Sequence, residues 1–542
     1  MRRVLLAALA GALAFLSFPP HAHPALVFIA LVPLLIAVRR TGMWRAAALG
    51  WLSGAVWHLG ALGWVLSTIE RFEHASTLFA LPIFVLFVAW HALQFALFAA
   101  GAAWLLNAGP EERAQLTTCC AVASWWVLLE WTFPKVFPWA LGNALAGAPL
   151  LRQGADLGGV YGLSVLVGVV NACTAAAFSG DATLTRRLRP IGLAAGLLIT
   201  AALYGAARVH SLTGRNVAGA GGAIRIAVVQ GGVPSGRDDL SAANESAWKT
   251  YSALSTQDSA PGTDLLVWPE TVLRVDLHSD VRYRRQLAAL VRELNEPIFF
   301  GSLDWNYVSR GELNSGYLIE PAPPGVTPAS LSLPLGSDAA ERVQTYHKRR
   351  LLPFGEYVPG ARGLPLLQRW QTTGQFVPGT DAHALALNVP PMGGRVLFAP
   401  SICFEAMWPG VFNRMVRDGA AFLVNITDDG WFGDSAGPYE HLQGATMRAV
   451  ETRRWLVRAS NSGVSAFVDQ TGRIVQSLPL GAVGVLSQPI GTSEALSLYV
   501  RWGDWPLAVC VLVVSAAVVS AWLGAPHPAG SHATAGAERT AA

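Results

Sequence analysis

Six stretches of this chain contain no Asp, Glu, Lys or Arg: 46–69, 74–110, 114–129, 157–180, 190–207 and 505–537. An apolar helix of about 20 residues crosses the ~30 Å hydrocarbon core of a bilayer. Stretches of this kind leave a chain few folds other than a bundle of membrane helices. Only 14% of the 542 residues are charged, against roughly 25% in a soluble globular chain. The deficit is uneven, because charge density is ordinary between about residues 222 and 495. The pattern predicts a membrane protein with one large water-soluble domain placed before its last span.

The predicted spans are 4–18, 25–38, 46–66, 78–106, 116–133, 157–178, 191–207 and, after the soluble domain, 502–523 within a segment 498–523. Arg2-Arg3 followed by 4–18 has the form of a signal peptide. We read it with 25–38 as an uncleaved hairpin of two short spans; removal of the first is the alternative. Basic clusters at Arg2/Arg3, Arg39/Arg40/Arg45 and Arg186/Arg187/Arg189 fall on one side if all eight spans are counted. The positive-inside rule then puts both termini in the cytoplasm and the soluble domain outside. The expected division is a transmembrane region 1–210, a Gly/Ala-rich linker 211–223, a catalytic domain 224–490, a last span 498–523 and a tail 524–542. Gly50/Gly54 and Gly158/Gly162 have the four-residue spacing that lets helices approach closely. Glu130, inside an apolar run between Trp126 and Trp131, is either a functional membrane carboxylate or a structural one in the bundle interior. The net charge of +4 is scattered and carries no nucleic-acid footprint.

The soluble part alternates strand-like and helix-like segments, which predicts an α/β domain with a sheet packed on both faces. Strands are expected at 224–229, 265–268, 298–300, 315–320, 343–347, 396–402, 422–426, 456–458 and 464–469, and helices at 238–256, 283–294 and 439–453. Gln470-Thr471-Gly472-Arg473 reads as a hairpin turn, and 321–340 as a surface loop. Three strand ends carry reactive groups: Glu270 after LLVWP, Lys348 after QTYH and Cys403 after FAPSI. Four of the five cysteines, Cys119, Cys120, Cys173 and Cys510, lie in apolar segments, which leaves Cys403 without a disulfide partner in its domain. A cysteine nucleophile needs a base for its proton and positive charge to hold thiolate and oxyanion. Glu270 and Lys348 are the types that supply these. Residues 406–418 can form a helix, whose N-terminal N–H groups would favour the Cys403 thiolate.

The segments WPET (268–271), HKRRLLPFGEYVP (347–359) and SICFE (401–405) resemble, in order, the three signatures of the nitrilase superfamily. With the spans and NITDDGWFG (425–433), the chain is similar to the apolipoprotein N-acyltransferase family within it. The resemblance implies an αββα sandwich on a polytopic bundle, with Glu270 as general base, Lys348 as electrostatic stabiliser and Cys403 as nucleophile. Glu356 and Glu405 match acidic positions the family needs. Phe404 stands where many members have tyrosine, and Asp428 where asparagine is expected; a tryptophan expected near 235–239 is missing. The implied reaction passes an acyl chain, expected from sn-1 of phosphatidylethanolamine, through a Cys403 thioester to the α-amine of a diacylglyceryl-cysteine lipoprotein. Neither metal nor cofactor is implied, and a monomer in a bacterial inner membrane is expected, with a periplasmic site. Loops 351–370 and 431–433, with Phe354, Tyr357, Phe404 and Trp431, are expected to cover the cysteine and dip toward lipid. His441 reads as structural. Two other readings stay open: a membrane-tethered amidase for a small carbon–nitrogen substrate, and a non-catalytic nitrilase-like ectodomain on a transporter or receptor.

Overall fold

The computed structural model describes residues 1–72, 76–107, 115–178, 184–213, 223–234, 239–257, 262–321, 343–361 and 376–523. Most of the expected linker and of the 321–340 loop, the second half of the 351–370 loop, residues 235–238 and the tail 524–542 lie outside the described residues.

The N-terminal half is helical: α1 (Arg2–Leu16), α2 (Val32–Val38), α3 (Met43–Ala61), α4 (Trp64–Phe72), α5 (Thr77–Asn107), α6 (Gln115–Thr132), α7 (Ala155–Ala177) and α8 (Leu184–Thr213). Small residues set its packing. A Cβ on Gly50 would lie 2.2 Å from the Phe95 carbonyl oxygen, and one on Gly54 2.9 Å from Ala92 Cα. The α3–α5 contact therefore depends on both glycines. Gly11 likewise lets α1 reach the Ser53 backbone. The α7 helix is kinked at Gly158 and Gly159; Gly159 has φ +63°, and a Cβ there would strike the Tyr499 ring.

Among the described residues four helical segments are long and apolar enough to cross a membrane: Thr77–Asn107, Leu151–Ala177, Arg187–Thr213 and Trp505–Leu523. The bent pair formed by α3 and α4, with a 58° angle, makes a fifth. The first two expected spans correspond to α1, of 15 residues, and to the shorter apolar helical stretch Pro24–Val38 that ends in α2; the fifth corresponds to α6, whose 18 residues lie within the roughly 17–25 that cross a bilayer. Two of the basic clusters meet at one end of the bundle: Arg3 bonds Thr41 there, and Arg40 N–H donates to Asn107 Oδ1 (3.1 Å).

The second half is a two-sheet sandwich. The first sheet holds β1 (Ala223–Gln230), β2 (Leu265–Val267), β3 (Leu273–Asp276), β4 (Ile298–Asn306), β5 (Gly311–Ile319), β6 (Val343–His347) and β13 (Gly484–Gly491), ordered β13-β1-β2-β4-β5-β6 with β3 on β4. The second holds β7 (Leu385–Val389), β8 (Gly394–Ile402), β9 (Phe422–Thr427), β10 (Leu456–Ser460), β11 (Ser465–Val468) and β12 (Ile474–Leu478), ordered β12-β11-β10-β9-β8-β7. The inner faces meet through Ile226, Val267, Phe299, Phe398, Ile426 and Phe467. Outside the first sheet pack α9 (Leu240–Gln257) and α10 (Val281–Leu294), through Tyr251 and Leu287. Outside the second pack α11 (Asn413–Arg417) and α12 (Gly437–Thr452), through Met415 and Ala445. The layers are α, β, β and α. A short helix, α13 (Leu498–Trp502), and a long one, α14 (Trp505–Leu523), follow the sandwich, and α14 returns the chain to the bundle.

Bundle and sandwich are locked by buried polar bonds. The expected 470–473 turn inserts its tip: the Thr471 carbonyl accepts from Arg152 Nε (2.8 Å) and Gln153 Nε2 (2.9 Å). Arg453, at the end of α12 with φ +54°, places Nε 2.9 Å and Nη2 2.8 Å from Asp156 Oδ2 at the start of α7. Both side chains are under 5% exposed. Removing one partner of such a pair costs about 3–5 kcal/mol. Asp156→Ala is therefore expected to lower the thermal unfolding midpoint of the detergent-solubilised protein well below that of an exposed-site control such as Asp418→Ala. Equal midpoints would contradict the lock.

Candidate active site

Cys403 follows the last residue of β8 and has φ +54°. A non-glycine residue in this region carries strain of order 1–3 kcal/mol and persists only where its neighbours fix it. Here they do. The Glu405 carboxylate accepts Ile402 N–H (2.9 Å) before the cysteine and Arg349 N–H (2.8 Å) and Arg350 N–H (3.1 Å) after the lysine. Tyr346 O–H donates to the same carboxylate (2.9 Å). From the other side Asn425 Nδ2 donates to the Cys403 carbonyl (3.2 Å). Asn425 is held in turn by Arg458, which pairs with Asp429 (2.7 Å), and Asp429 also faces His441 Nδ1 at 2.8 Å. Although burial disfavours its charge, Arg458 and His441 hold the Asp429 carboxyl well below the usual carboxylate range. Asp429 is thereby consumed as a structural anion, and His441 with it.

The turn after Cys403 is not the expected helix over 406–418. It is a 3-10 turn, Cys403–Met407, and regular helix resumes only in the five residues of α11. Pro409 and Gly410, the latter at φ +71°, interrupt it. The expected help from helix N-terminal amides therefore does not set the thiol. Burial pushes the Cys403 thiol well above its ordinary range and Glu270 adds to this, while Lys348 and Thr427 pull the other way. Burial and Glu270 thus favour the thiol over the thiolate.

Glu270 lies at the end of β2, 7% exposed. Its Oε1 accepts from Asn314 Nδ2 (2.7 Å) and lies 3.3 Å from Lys348 Nζ. Its Oε2 accepts Asp428 N–H (2.9 Å), so a strand end of the second sheet positions a carboxylate of the first. Lys348 follows β6 and is 2% exposed. It donates to Glu356 Oε1 (2.9 Å), whose other oxygen accepts Leu352 N–H (2.7 Å). Burial opposes the lysine's charge, but Glu270, Glu356 and Cys403 together hold its pKa well above the ordinary value. The structure thus brings buried Glu270 and Lys348 together with half-buried Glu356 and Cys403 in one cluster, with Glu405 bracing it. Sequence reasoning missed Asn314, Tyr346, Asn425 and Arg458. A polar residue in the middle of a buried strand was the only available signal.

The four aromatic residues expected over the cysteine part company. Phe404 is 3% exposed and packs edge-on to Phe137 and Trp408, with ring centroids 6.1 and 5.9 Å away. It is a buried contact to the bundle, not an exposed cover. Tyr357 is half-buried and lines a cleft of about 1040 Å³ between the bundle segment 130–138 and the sandwich segments 309–311, 349–361 and 376–378. Phe354 is 61% exposed with φ +64°. Trp431 is half-buried beside Phe432, which meets Trp64 of α4 at 4.9 Å. Glu130 is buried, accepts Leu141 N–H (2.7 Å) and reaches the inner wall of the same cleft. Cys403, Leu352 and Trp408 pack against the apolar cluster of the membrane helices.

Glu270 raises the cost of a thiolate on Cys403. Glu270→Gln is therefore expected to lower the pH midpoint at which Cys403 becomes reactive toward a small alkylating reagent. An unchanged or raised midpoint would contradict this coupling.

A model of the apolipoprotein N-acyltransferase N-terminal domain matches residues 10–173, and one of carbon-nitrogen hydrolase matches residues 225–495. An apolipoprotein N-acyltransferase of Geobacter metallireducens is 32% identical over 533 residues, covering 96% of this chain and 95% of the relative. One from Bradyrhizobium diazoefficiens is 33% identical over 433 residues, covering 76% and 75%. One from Pseudomonas syringae pv. tomato is 30% identical over 538 residues, covering 95% and 96%. A membrane bundle, a nitrilase-like sandwich and a carboxylate–lysine–cysteine cluster between them agree with these matches, and the chain belongs to the apolipoprotein N-acyltransferase family.

Proposed function

We propose that this bacterial membrane protein transfers an acyl chain from a phospholipid, through a thioester on Cys403, to the N-terminal amine of a diacylglyceryl-cysteine lipoprotein. The observation that carries this reading is the packing of the nucleophile. Cys403 and the turn that follows it share one apolar cluster with the membrane helices, an environment suited to a lipid ester.

Glu270 takes the thiol proton as sulfur attacks the ester carbonyl. Lys348 faces the oxyanion of the tetrahedral intermediate. The carbon–oxygen bond breaks, the proton passes from Glu270 to the departing glyceryl oxygen, and lysophospholipid leaves. In the second half the lipoprotein amine attacks the thioester, Glu270 takes a proton from the amine, the carbon–sulfur bond breaks and the thiol is restored. An α-amine titrates near ~8, so a useful fraction is neutral at neutral pH. Excluding water from the thioester favours the amine over hydrolysis. Glu356 positions Lys348, and Glu405 positions the cysteine turn. The donor is taken to be phosphatidylethanolamine, cleaved at sn-1.

The basic end of the bundle supports an orientation with the sandwich in the periplasm. Arg3, Arg40 and their partners lie at the end where α1 and α3 begin and α5 finishes, whereas Trp64 and Arg152, at the other end, meet the sandwich. Placing the basic end in the cytoplasm puts the sandwich in the periplasm.

Mass spectrometry of the purified protein mixed with phosphatidylethanolamine alone should show an acyl mass on Cys403. A diacylglyceryl peptide should then discharge it as an amide. No adduct, together with hydrolysis of small amides, would favour the tethered amidase; neither activity would favour a non-catalytic ectodomain.

A further inference from the structure

The hairpin between β4 and β5 ends in an apolar tip that the sandwich does not cover. Trp305 pairs with Glu312 and Asn306 with Gly311, leaving Tyr307–Arg310 as the turn. Tyr307 is 70% exposed and Val308 96%. The tip is rigidly built. Asn306 Oδ1 accepts the N–H groups of Val308 (3.0 Å) and Ser309 (2.9 Å), and Arg310 takes φ +52°. At its base, Val377 N–H donates to the Glu312 carbonyl (2.8 Å). Holding an aromatic and a β-branched side chain out in water brings no burial. A fixed shape for that exposure makes sense where something apolar meets it.

Position identifies what that is. Ser309 and Arg310 line the cleft together with residues 131–135, which span the end of α6 and the segment after it. Trp131, at that helix end, is itself 53% exposed. The hairpin tip and the end of a bundle helix therefore border the same cleft. An aromatic side chain with an arginine beside it is the composition favoured at the lipid headgroup level.

We propose that the 305–310 hairpin is a second membrane contact of the catalytic domain. Tyr307 and Val308 seat in the headgroup–acyl boundary, and Arg310 lies among the phosphates at the mouth of the cleft. The contact holds the open side of the cleft against the lipid surface, so that a donor enters it without crossing water.

The test uses the full-length protein in nanodiscs of phosphatidylethanolamine and phosphatidylglycerol. A photoreactive benzoyl-phenylalanine is placed at position 308 or, as control, at Val281 on α10, which is 44% exposed. The expected result is phospholipid attached at 308 and not at 281. Equal lipid labelling at both, or labelling at 308 of a second protein molecule only, would overturn the proposal. This readout needs no turnover, so it stands or falls separately from the acyl-transfer reading. In turnover, Tyr307→Asp/Val308→Asp should raise KM for bilayer phosphatidylethanolamine several-fold at unchanged kcat. Turnover of a micelle-dispersed short-chain donor should stay the same. An unchanged KM with bilayer donor would also overturn it.

Discussion

One buried carboxylate holds the two halves of the site in register. Glu405 sits in the second sheet's cysteine turn, and it accepts the backbone N–H groups that follow Lys348 at the end of a strand in the first sheet. Glu270 makes the reverse crossing, from the first sheet to the Asp428 amide of the second. Sheets packed through side chains alone tolerate small slips. Charge-assisted bonds to backbone amides are short and directional, and two of them running in opposite senses fix the distance between nucleophile, base and lysine. Left without Glu405, three amides would lose this acceptor, the buried one of Ile402 at about 1–3 kcal/mol, and the strained φ of Cys403 would lose its support.

The same arrangement sets opposing influences on the thiol. Burial in the apolar seam and the neighbouring Glu270 make a bare thiolate costly, and Lys348 offsets part of that cost. Lys348 is itself held by Glu270 and Glu356. The membrane helices contribute beyond anchorage, because Phe137 and its neighbours form part of the apolar wall on which the cysteine turn packs. The kink at Gly158–Gly159, the inserted Thr471 turn and the Arg453–Asp156 pair hold that wall against the sandwich.

Much of this was legible in the sequence for identifiable reasons. Apolar runs closed by Pro269-Glu270, Lys348 and Cys403 announce buried strands ending in polar groups, and each ends within a residue or two of its expected place. The strand 484–491 escaped notice because Gly484, Pro489 and Gly491 mask its pattern and its side chains are mostly half-buried. The helix expected after Cys403 was defeated by Pro409-Gly410. The residues that brace the cluster were illegible for a deeper reason. Asn314, Tyr346 and Asn425 act across strands and sheets, and their partners are far away in sequence.

The central claim is that Cys403 opens toward lipid and is sheltered from bulk water. The direct measurement compares its alkylation in nanodiscs by two maleimides of equal intrinsic reactivity, one with an alkyl tail and one with a sulfonate. The account predicts that the alkyl reagent labels Cys403 many times faster, and that the ratio collapses towards one when the protein is unfolded. Equal rates in the folded, membrane-embedded protein would contradict it.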